Sequence, residues 1–354
     1  MVKRYKFKKI LIGIICIILL VVVMAIILFF NELRSLASLK VIDDYPMYRM
    51  TYYGDYGFDE FLKSGAKSDR DIEKFVTKRL LKGLPININV TGAGCTAFVT
   101  KNDKGDTIFA RNFDFTYTPS LQLWTNPKNG YASISTVNLS FAGYSKDNLP
   151  LPIKMKSFLA LAAPYLPFDG MNEKGVSIAL LAVPEAHLRT DDNKITLNTT
   201  TAIRLVLDKA ANVDEAIEIL RKYNIYFSGD IECHYLIADS SGKSVIVEYW
   251  NGELQVVKSD KSYQIASNFI AYNGLNIGEG YTEFERYDAV KKAIEENHGS
   301  LTQEQTIDLL AQVGVYETTG EDKLQWSVVY NLTDLDGYCF VNRKKENVKE
   351  FKLH

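Results

Sequence analysis

Cysteine and histidine are scarce in this chain, with four residues of each type among 354. The cysteines show no C-x-x-C spacing and the histidines no H-x-x-x-H or H-E-x-x-H spacing, the patterns typical of zinc sites. Four scattered cysteines are also too few for a disulfide framework, although one bridge between Cys233 and Cys339 stays open. We therefore predict no metal and no cofactor, and Cys95 remains an unpaired thiol that needs an explanation.

An excess of basic charge is missing as well. Lysine and arginine number 41 against 43 acidic residues, and the pI is near 6.2. Without a basic surface a protein releases few counterions from a nucleic acid, so nucleic acid is not an expected partner. With 47% apolar and 24% charged residues, the chain has enough apolar material for a folded core.

The N-terminus carries a long apolar run. Five cations lie in residues 1–9, and residues 10–30 hold no charge, which is enough for a helix that crosses a bilayer. A cleaved signal peptide is the closest alternative, but no A-x-A pattern follows the run. By the positive-inside rule we predict a cytoplasmic basic tail (1–9), a transmembrane signal anchor (10–30) and an extracytoplasmic remainder, as in a single-pass protein of the cell membrane.

After residue 94 the sequence alternates between strand-like and helix-like segments. The strand patterns come in hairpins, and helical patterns come in pairs within 199–223, where Asp214 is the expected cap of the second helix, and within 284–313. This order predicts an α+β fold with antiparallel sheet rather than a doubly wound parallel sheet. Residues 31–94 form a tyrosine-rich leader, with a helix expected to end at Gly83, and residues 95–354 form the main domain.

Cys95 follows a glycine at the start of the first predicted hairpin. The expected register places Cys95 opposite Asn112, with Arg111 and Asp114 close by. Arg111 and Asp114 have opposite parity along the strand, so they share a site only if the strand ends or bends near Phe113.

A catalytic thiol needs a base, because a cysteine side chain is mostly protonated at neutral pH and only the thiolate is a good nucleophile. The sequence places no histidine near Cys95, and His234 lies far downstream. If the Gly94–Cys95 bond is cut, the new α-amine, with a reference pKa of roughly 7.7 to 8.0, becomes a base on the same residue. Gly94 lacks a Cβ and can adopt the unusual backbone that lets the thiol attack its carbonyl. Asp114 would then orient the ammonium, and Arg111 would steady the thiolate or the substrate carbonyl.

Five blocks of the sequence occur in a recognisable order. They are GCT with ARNFD, FDGMNEKGVSIALLAV, CHYLIADSSGKSVIVEYWNGELQV followed by QIASNF, FERYDAV, and LQWSVVYNLTDLDGYCFV. Together they resemble the choloylglycine hydrolase and acid ceramidase group of N-terminal nucleophile hydrolases, the linear amide C–N hydrolases. The resemblance covers essentially all of residues 95–342.

The resemblance implies a four-layer αββα sandwich, preceded here by the transmembrane helix, and a cysteine made N-terminal by processing. It implies hydrolysis of a non-peptide amide bond in a small-molecule N-acyl amide. Cys95 falls on the nucleophile, with its own amine as base and Asp114 orienting that amine. Arg111 and Arg286 fall on supporting arginines, and Asn268 on the oxyanion asparagine, a contribution of ~3 kcal/mol in comparable enzymes.

Two features separate the chain from bile-salt hydrolases. Ala182 stands at the ungapped position of an asparagine in that branch, so the bile-salt specificity is not carried over. Glu185, three residues on, either takes the place of an acidic residue used in the ceramidase-like branch or is an ordinary loop carboxylate. The long leader before Cys95 requires internal cleavage after Gly94, and its many aromatic residues predict that the cut leader stays packed on the sandwich.

Two other hypotheses stay open. A papain-like hydrolase would use Cys95 with His234 and keep an intact leader. An anchored, non-enzymatic envelope protein would use the same sandwich as a binding scaffold and need no thiol.

Overall fold

The computed structural model describes residues 2–86, 94–150, 155–278, 281–315 and 323–353. In this part of the chain, a sheet of nine strands packs on a sheet of six strands, and helices cover the outer face of each. In chain order the strands are β1 (Lys40–Asp43), β2 (Met47–Thr51), β3 (Gly94–Lys101), β4 (Thr107–Phe115), β5 (Ser120–Thr125), β6 (Ser133–Asn138), β7 (Pro167–Asn172), β8 (Ser177–Ala182), β9 (Thr196–Asn198), β10 (Asn224–Tyr226), β11 (Cys233–Ala238), β12 (Ser244–Trp250), β13 (Glu253–Lys258), β14 (Gln264–Ala266), β15 (Phe269–Ile270), β16 (Ile277–Gly278), β17 (Lys323–Asn331), β18 (Asp336–Val341) and β19 (Lys349–Lys352).

Two helix pairs form the outer layers. In chain order the α-helices of the described residues are α1 (Val2–Leu28), α2 (Phe30–Ala37), α3 (Phe58–Phe61), α4 (Asp69–Arg79), α5 (Thr199–Lys209), α6 (Val213–Leu220), α7 (Tyr281–Glu296) and α8 (Gln303–Val313). The pair α5 and α6 packs on the nine-stranded sheet, and the pair α7 and α8 packs on the six-stranded sheet. The chain therefore folds as an α+β sandwich with the layer order helices, sheet, sheet, helices.

The two sheets are built mainly from antiparallel neighbours. The nine-stranded sheet has the order β1-β2-β5-β6-β7-β8-β11-β12-β13, and the six-stranded sheet has the order β14-β3-β4-β17-β18-β19. Within them only β2 and β5 pair in parallel. One apolar cluster fills the space between the sheets, and a second lies between the six-stranded sheet and its helices.

Polar side chains at the helix starts explain where several helices begin. Helices α5 and α8 each open with a reciprocal capping box. Helix α6 begins after Asn212, whose side chain accepts a hydrogen bond from the N–H of Glu215 at 3.0 Å. The prediction of Asp214 as the cap is wrong, because Asp214 lies inside the first turn and pairs with Lys243 at the surface.

The leader packs on the rest of the uncut chain. Strand β1 pairs with β2, and β2 pairs with β5, so the leader supplies two strands at one edge of the nine-stranded sheet. The buried Tyr56 hydroxyl lies 2.8 and 2.7 Å from the two carboxylate oxygens of Asp208 on α5. Phe61 packs edge-on against Tyr165, with 5.4 Å between the ring centroids. The leader is therefore part of the folded core before any cleavage.

The N-terminal helix is separate from that core. In α1, the segment Leu11–Leu28 is long and apolar enough to cross a membrane, and none of it is buried inside the protein. A signal sequence would meet the same criterion. The predicted span of residues 10–30 divides into two helices, because α1 ends before Phe30, where α2 begins. The leader helix that was expected to end at Gly83 is α4, which ends at Arg79.

The cysteines do not form the bridge that the sequence left open. All four are free. Cys233 lies on β11 and Cys339 on β18, in different sheets, and the Cys339 sulfur packs 3.8 Å from the sulfur of Met47. The possibility of a Cys233–Cys339 bridge is therefore excluded in this fold.

Candidate active site

The candidate site lies at the start of β3, where the hairpin of β3 and β4 meets the nine-stranded sheet. Cys95 pairs with Phe113, and Gly94 pairs with Asp114. The predicted register, with Cys95 opposite Asn112, is wrong by one residue. The observed register places the side chains of Cys95 and Phe113 on the face towards the other sheet.

The expected end or bend of the Arg111–Asp114 strand near Phe113 is not present, and the irregularity lies in the neighbouring strand. Strand β4 continues unbroken to Phe115, but its partner β17 has a register shift between Leu324 and Trp326. Arg111 and Asp114 accordingly lie on opposite faces of the six-stranded sheet. Arg111 faces the space between the sheets, and Asp114 faces the α7 side, where Arg286 lies. Both side chains nevertheless lie at the start of β3, where Arg111 contacts Cys95 on one face of the sheet and Asp114 lies beside Gly94 on the other.

The Cys95 thiol is buried and contacts an arginine. Its Sγ accepts a hydrogen bond from Arg111 Nη2 at 3.1 Å. Burial raises the pKa of the Cys95 thiol above its ordinary value, and the Arg111 guanidinium opposes part of that effect. The thiol of the uncut chain is thus held mainly in its protonated form, and a base is needed to make it a nucleophile.

A buried acceptor set orients Arg111. Its Nη1 donates to the Phe168 carbonyl at 2.7 Å and to Asp169 Oδ2 at 3.0 Å. Asp169 also accepts from the Trp326 indole at 3.1 Å and from the Tyr330 hydroxyl at 2.6 Å. Sequence reasoning assigned no role to Asp169, although a carboxylate inside the strand-forming block FDGMNEKG was a signal that a buried cation lies nearby.

Asp114 and Arg286 form an ion pair over Gly94. Arg286 Nη1 donates to Asp114 Oδ2 at 2.9 Å, and the N–H of Val315 donates to Oδ1 at 3.0 Å. Burial raises the pKa of Asp114 to about 6, with Arg286 opposing the rise. A Cβ built on Gly94 would lie 3.5 Å from the Asp114 Cβ, which is ordinary contact. The φ of Gly94 is also outside the left-handed region, so the unusual backbone expected at Gly94 is not seen in the uncut chain.

Asn268 joins the two halves of the site. Its Oδ1 accepts from the backbone N–H of Cys95 at 2.7 Å and from Arg286 Nη2 at 2.7 Å. Its Nδ2 donates to the carbonyl of Ala182 at 2.7 Å. The five predicted residues thus form one connected group, in which Asn268 accepts the hydrogen bond from the nitrogen of Cys95.

The remaining candidates lie elsewhere. His234 is buried, and its Nδ1 lies 3.0 Å from Glu248 Oε1. Among the described residues, no hydrogen bond joins His234 to Cys95. Glu185 is exposed and pairs with His187 at 2.8 Å, so it does not line the site.

A small apolar cavity of about 30 Å³ lies beside the site. Two of its wall residues also support the site through their carbonyls, Phe168 towards Arg111 and Ala182 towards Asn268. The polar groups of the wall are mainly the hydroxyls of Thr199 and Thr200 at the start of α5. The residues around the cavity are Phe115, Phe141, Phe168, Leu180, Ala182, Thr199, Thr200, Ser228, Ile231 and Cys233.

Comparison with known proteins places this geometry in context. The sequence profile described as linear amide C–N hydrolases, choloylglycine hydrolase family, matches residues 95–310. The penicillin V acylase of Pectobacterium atrosepticum is 28% identical over 215 residues, which is 57% of this chain and 56% of that protein. The bile salt hydrolase/transferase of Clostridium perfringens is 28% identical over 172 residues, 46% of this chain and 50% of that protein. The chain spans about half the length of the curated relatives it matches.

Solved structures share the fold. The conjugated bile acid hydrolase of Clostridium perfringens, in a variant form, covers 73% of this chain and 92% of its own, with a TM-score of 0.53 and 17% identity. The penicillin V acylase of Agrobacterium tumefaciens covers 70% of this chain and 83% of its own, with a TM-score of 0.52 and 18% identity. These likenesses confirm the predicted α+β fold of the N-terminal nucleophile hydrolase type.

Proposed function

The chain belongs to the choloylglycine hydrolase family of linear amide C–N hydrolases, and we propose that it hydrolyses a small-molecule N-acyl amide through an S-acyl intermediate on Cys95. The observation that carries the proposal is the connected group at the start of β3. There Arg111 donates to the Cys95 thiol, and Asn268 accepts from the Cys95 N–H. The family match also begins at Cys95, which supports this residue as the first of the mature catalytic chain.

Maturation is the first chemical step, because the uncut chain has no free amine at Cys95. The Cys95 sulfur attacks the carbonyl carbon of Gly94. An S–C bond forms, the C–N bond breaks, and the nitrogen takes the proton that the thiol gives up and becomes the α-amine. Water then hydrolyses the thioester to a Gly94 carboxylate and the free thiol. Asn268 Oδ1, 2.7 Å from the nitrogen, is positioned to hold the departing amine.

Turnover repeats the chemistry on a substrate amide. The α-amine, with a reference pKa of roughly 7.7 to 8.0, takes the thiol proton, and the buried Asp114 carboxylate stabilises the ammonium that forms. The thiolate attacks the substrate carbonyl, and the tetrahedral oxyanion accepts from the amide Nδ2 of Asn268, which has a second N–H besides the one donated to Ala182. The amine leaves with the proton, and water releases the acyl group from Cys95.

The apolar cavity is the proposed acyl site. Two of its wall residues, Phe168 and Ala182, accept hydrogen bonds from Arg111 and Asn268 through their carbonyls. An acyl group held in the cavity therefore has its carbonyl near Cys95. Its apolar walls favour an uncharged acyl group. Two relatives are named for penicillin V and for bile salts, but the asparagine of the bile-salt branch is replaced by Ala182 here, and no bile-salt specificity is proposed.

Shortening a wall residue of the cavity is expected to change acyl preference. Ile231 is only partly buried, so Ile231→Ala enlarges the cavity with little loss of core packing. For N-acyl aminomethylcoumarins from acetyl to palmitoyl, kcat/KM should shift towards longer chains by about 10-fold relative to acetyl. The exposed Leu188→Ala serves as a control and should leave the ratio unchanged. An unchanged ratio in Ile231→Ala would place the acyl group elsewhere.

The N-terminal helix is the proposed membrane anchor. Its apolar segment Leu11–Leu28 follows the basic residues 1–9 and is not buried in the protein. The cluster of basic residues before the apolar segment favours a cytoplasmic N-terminus and an extracytoplasmic catalytic domain by the positive-inside rule. The leader, residues 31–94, would stay bound after cleavage through β1, β2 and the Tyr56 hydroxyl, and would keep the catalytic chain at the membrane.

The papain-like alternative receives less support. It needs His234 to act on Cys95, but among the described residues the Cys95 thiol accepts from Arg111 and no hydrogen bond joins it to His234. The scaffold alternative requires no reactive thiol, so it does not explain why a buried arginine donates a hydrogen bond to Cys95.

N-terminal sequencing of the full chain purified from membranes tests the proposal. We expect two fragments that copurify, one carrying the N-terminal helix and one beginning Cys-Thr-Ala-Phe, together with release of the fluorescent amine from an N-acyl aminomethylcoumarin. Fully active protein with an unbroken chain would contradict the mechanism.

A further inference from the structure

A buried carboxylate of the nine-stranded sheet holds the loop that carries Asn268. Glu248, on β12, is fully buried. Its Oε1 accepts from the N–H of Ala271 at 3.0 Å, and its Oε2 accepts from the N–H of Tyr272 at 2.9 Å. These two N–H groups lie three and four residues after Asn268, so one side chain binds two successive backbone N–H groups directly after β15, the short strand that follows Asn268.

A histidine completes the environment of Glu248. His234, on the neighbouring strand β11, contacts Glu248 Oε1 through Nδ1 at 3.0 Å. Burial alone would raise the pKa of Glu248, but the hydrogen bonds from His234 and the two backbone N–H groups lower it below its ordinary value. Glu248 is therefore a carboxylate with three donors, and its charge is used to hold the loop.

The loop bridges the two sheets. Asn268 follows β14, which belongs to the six-stranded sheet with Cys95, whereas Glu248 and Ala182 belong to the nine-stranded sheet. The segment is tied to the nine-stranded sheet at two places, by Asn268 Nδ2 to the Ala182 carbonyl and by the Ala271 and Tyr272 N–H groups to Glu248. The position of the Asn268 amide relative to the Cys95 sulfur thus depends on these ties.

We propose that Glu248 is a positioning residue for amide hydrolysis, which fixes the Asn268 amide where the oxyanion develops on a carbonyl attacked by Cys95. The inference rests on the proposed function and adds a residue to it. A glutamine at this position keeps the size of the side chain but presents an NH₂ group to one of the three donors, so the loop must shift. Small displacements of a catalytic group cost large factors in rate.

The experiment compares two reactions of the same thiol in the full chain. Hydrolysis of an N-acyl aminomethylcoumarin passes through an oxyanion, whereas alkylation of Cys95 by iodoacetamide does not. In Glu248→Gln, kcat per mole of chain beginning at Cys95 should fall about 10- to 100-fold, while KM and the alkylation rate at Cys95, mapped by mass spectrometry, stay at the wild-type values. Glu253→Gln, on the exposed part of β13, is the matched control and should leave both reactions unchanged.

The outcomes separate positioning from general support of the fold. A parallel loss of hydrolysis and alkylation, or an unchanged kcat, would overturn the proposal. If Glu248→Gln yields no folded protein, Glu248→Asp decides, because it keeps the charge but draws the carboxylate back from the Ala271 and Tyr272 N–H groups. It should reduce kcat several-fold with alkylation unchanged, and equal rates would overturn the proposal. A wild-type chain that does not hydrolyse the amide contradicts the proposed function itself, and the role of Glu248 with it.

Discussion

Replacing Cys95 by alanine is expected to abolish amide hydrolysis and to leave the leader joined to the catalytic domain. One sulfur atom performs both steps of the proposed mechanism, so its loss removes the nucleophile for the Gly94 carbonyl and for the substrate. Loss of a catalytic nucleophile lowers kcat by about 10⁴-fold or more. Release of the fluorescent amine measures turnover, and intact mass measures cleavage. Alanine differs from cysteine only by the sulfur, so the buried position should keep its packing.

The control for this variant is another buried, free thiol. Cys339 lies on β18, away from the site, and contacts Met47. Cys339→Ala should be cut after Gly94 and should hydrolyse the amide at the wild-type rate. Cleavage of Cys95→Ala after Gly94, or amide hydrolysis by it above background, would show that another group is the nucleophile.

The family and the members of the site could be predicted from the sequence, but the contacts among them could not. The five blocks identified Cys95, Arg111, Asp114, Asn268 and Arg286, and the family assignment they suggested is confirmed. Their catalytic roles stay predictions. The register of the hairpin failed by one residue, because every position of β4 is buried. A strand buried on both faces has no alternation of polar and apolar residues to fix its phase.

The leader strands were missed for a different reason. Strands β1 and β2 are short, and β2 pairs in parallel with β5, about seventy residues later in the chain. A parallel pair between distant segments has no turn signal next to it, so local sequence patterns do not predict it. The same holds for Asp169 and Glu248, whose partners come from other strands and loops. Each is a buried acid, and its role becomes visible only when the fold supplies its donors.

Replacing Asn268 by alanine is expected to lower kcat by about 10²- to 10³-fold. Asn268 is the only side chain that contacts the Cys95 nitrogen within the part of the chain that the structure describes, and its amide is the proposed oxyanion donor. Cleavage after Gly94 should slow as well, because attack by the same sulfur makes the Gly94 carbonyl carbon tetrahedral and places an oxyanion on its oxygen. The rate is therefore measured per mole of chain beginning at Cys95. Asn193→Ala, in an exposed loop, is the control and should match the wild type. If Asn268→Ala is cut and turns over the amide at the wild-type rate, the oxyanion is stabilised by other donors and Asn268 serves only to hold the uncut chain.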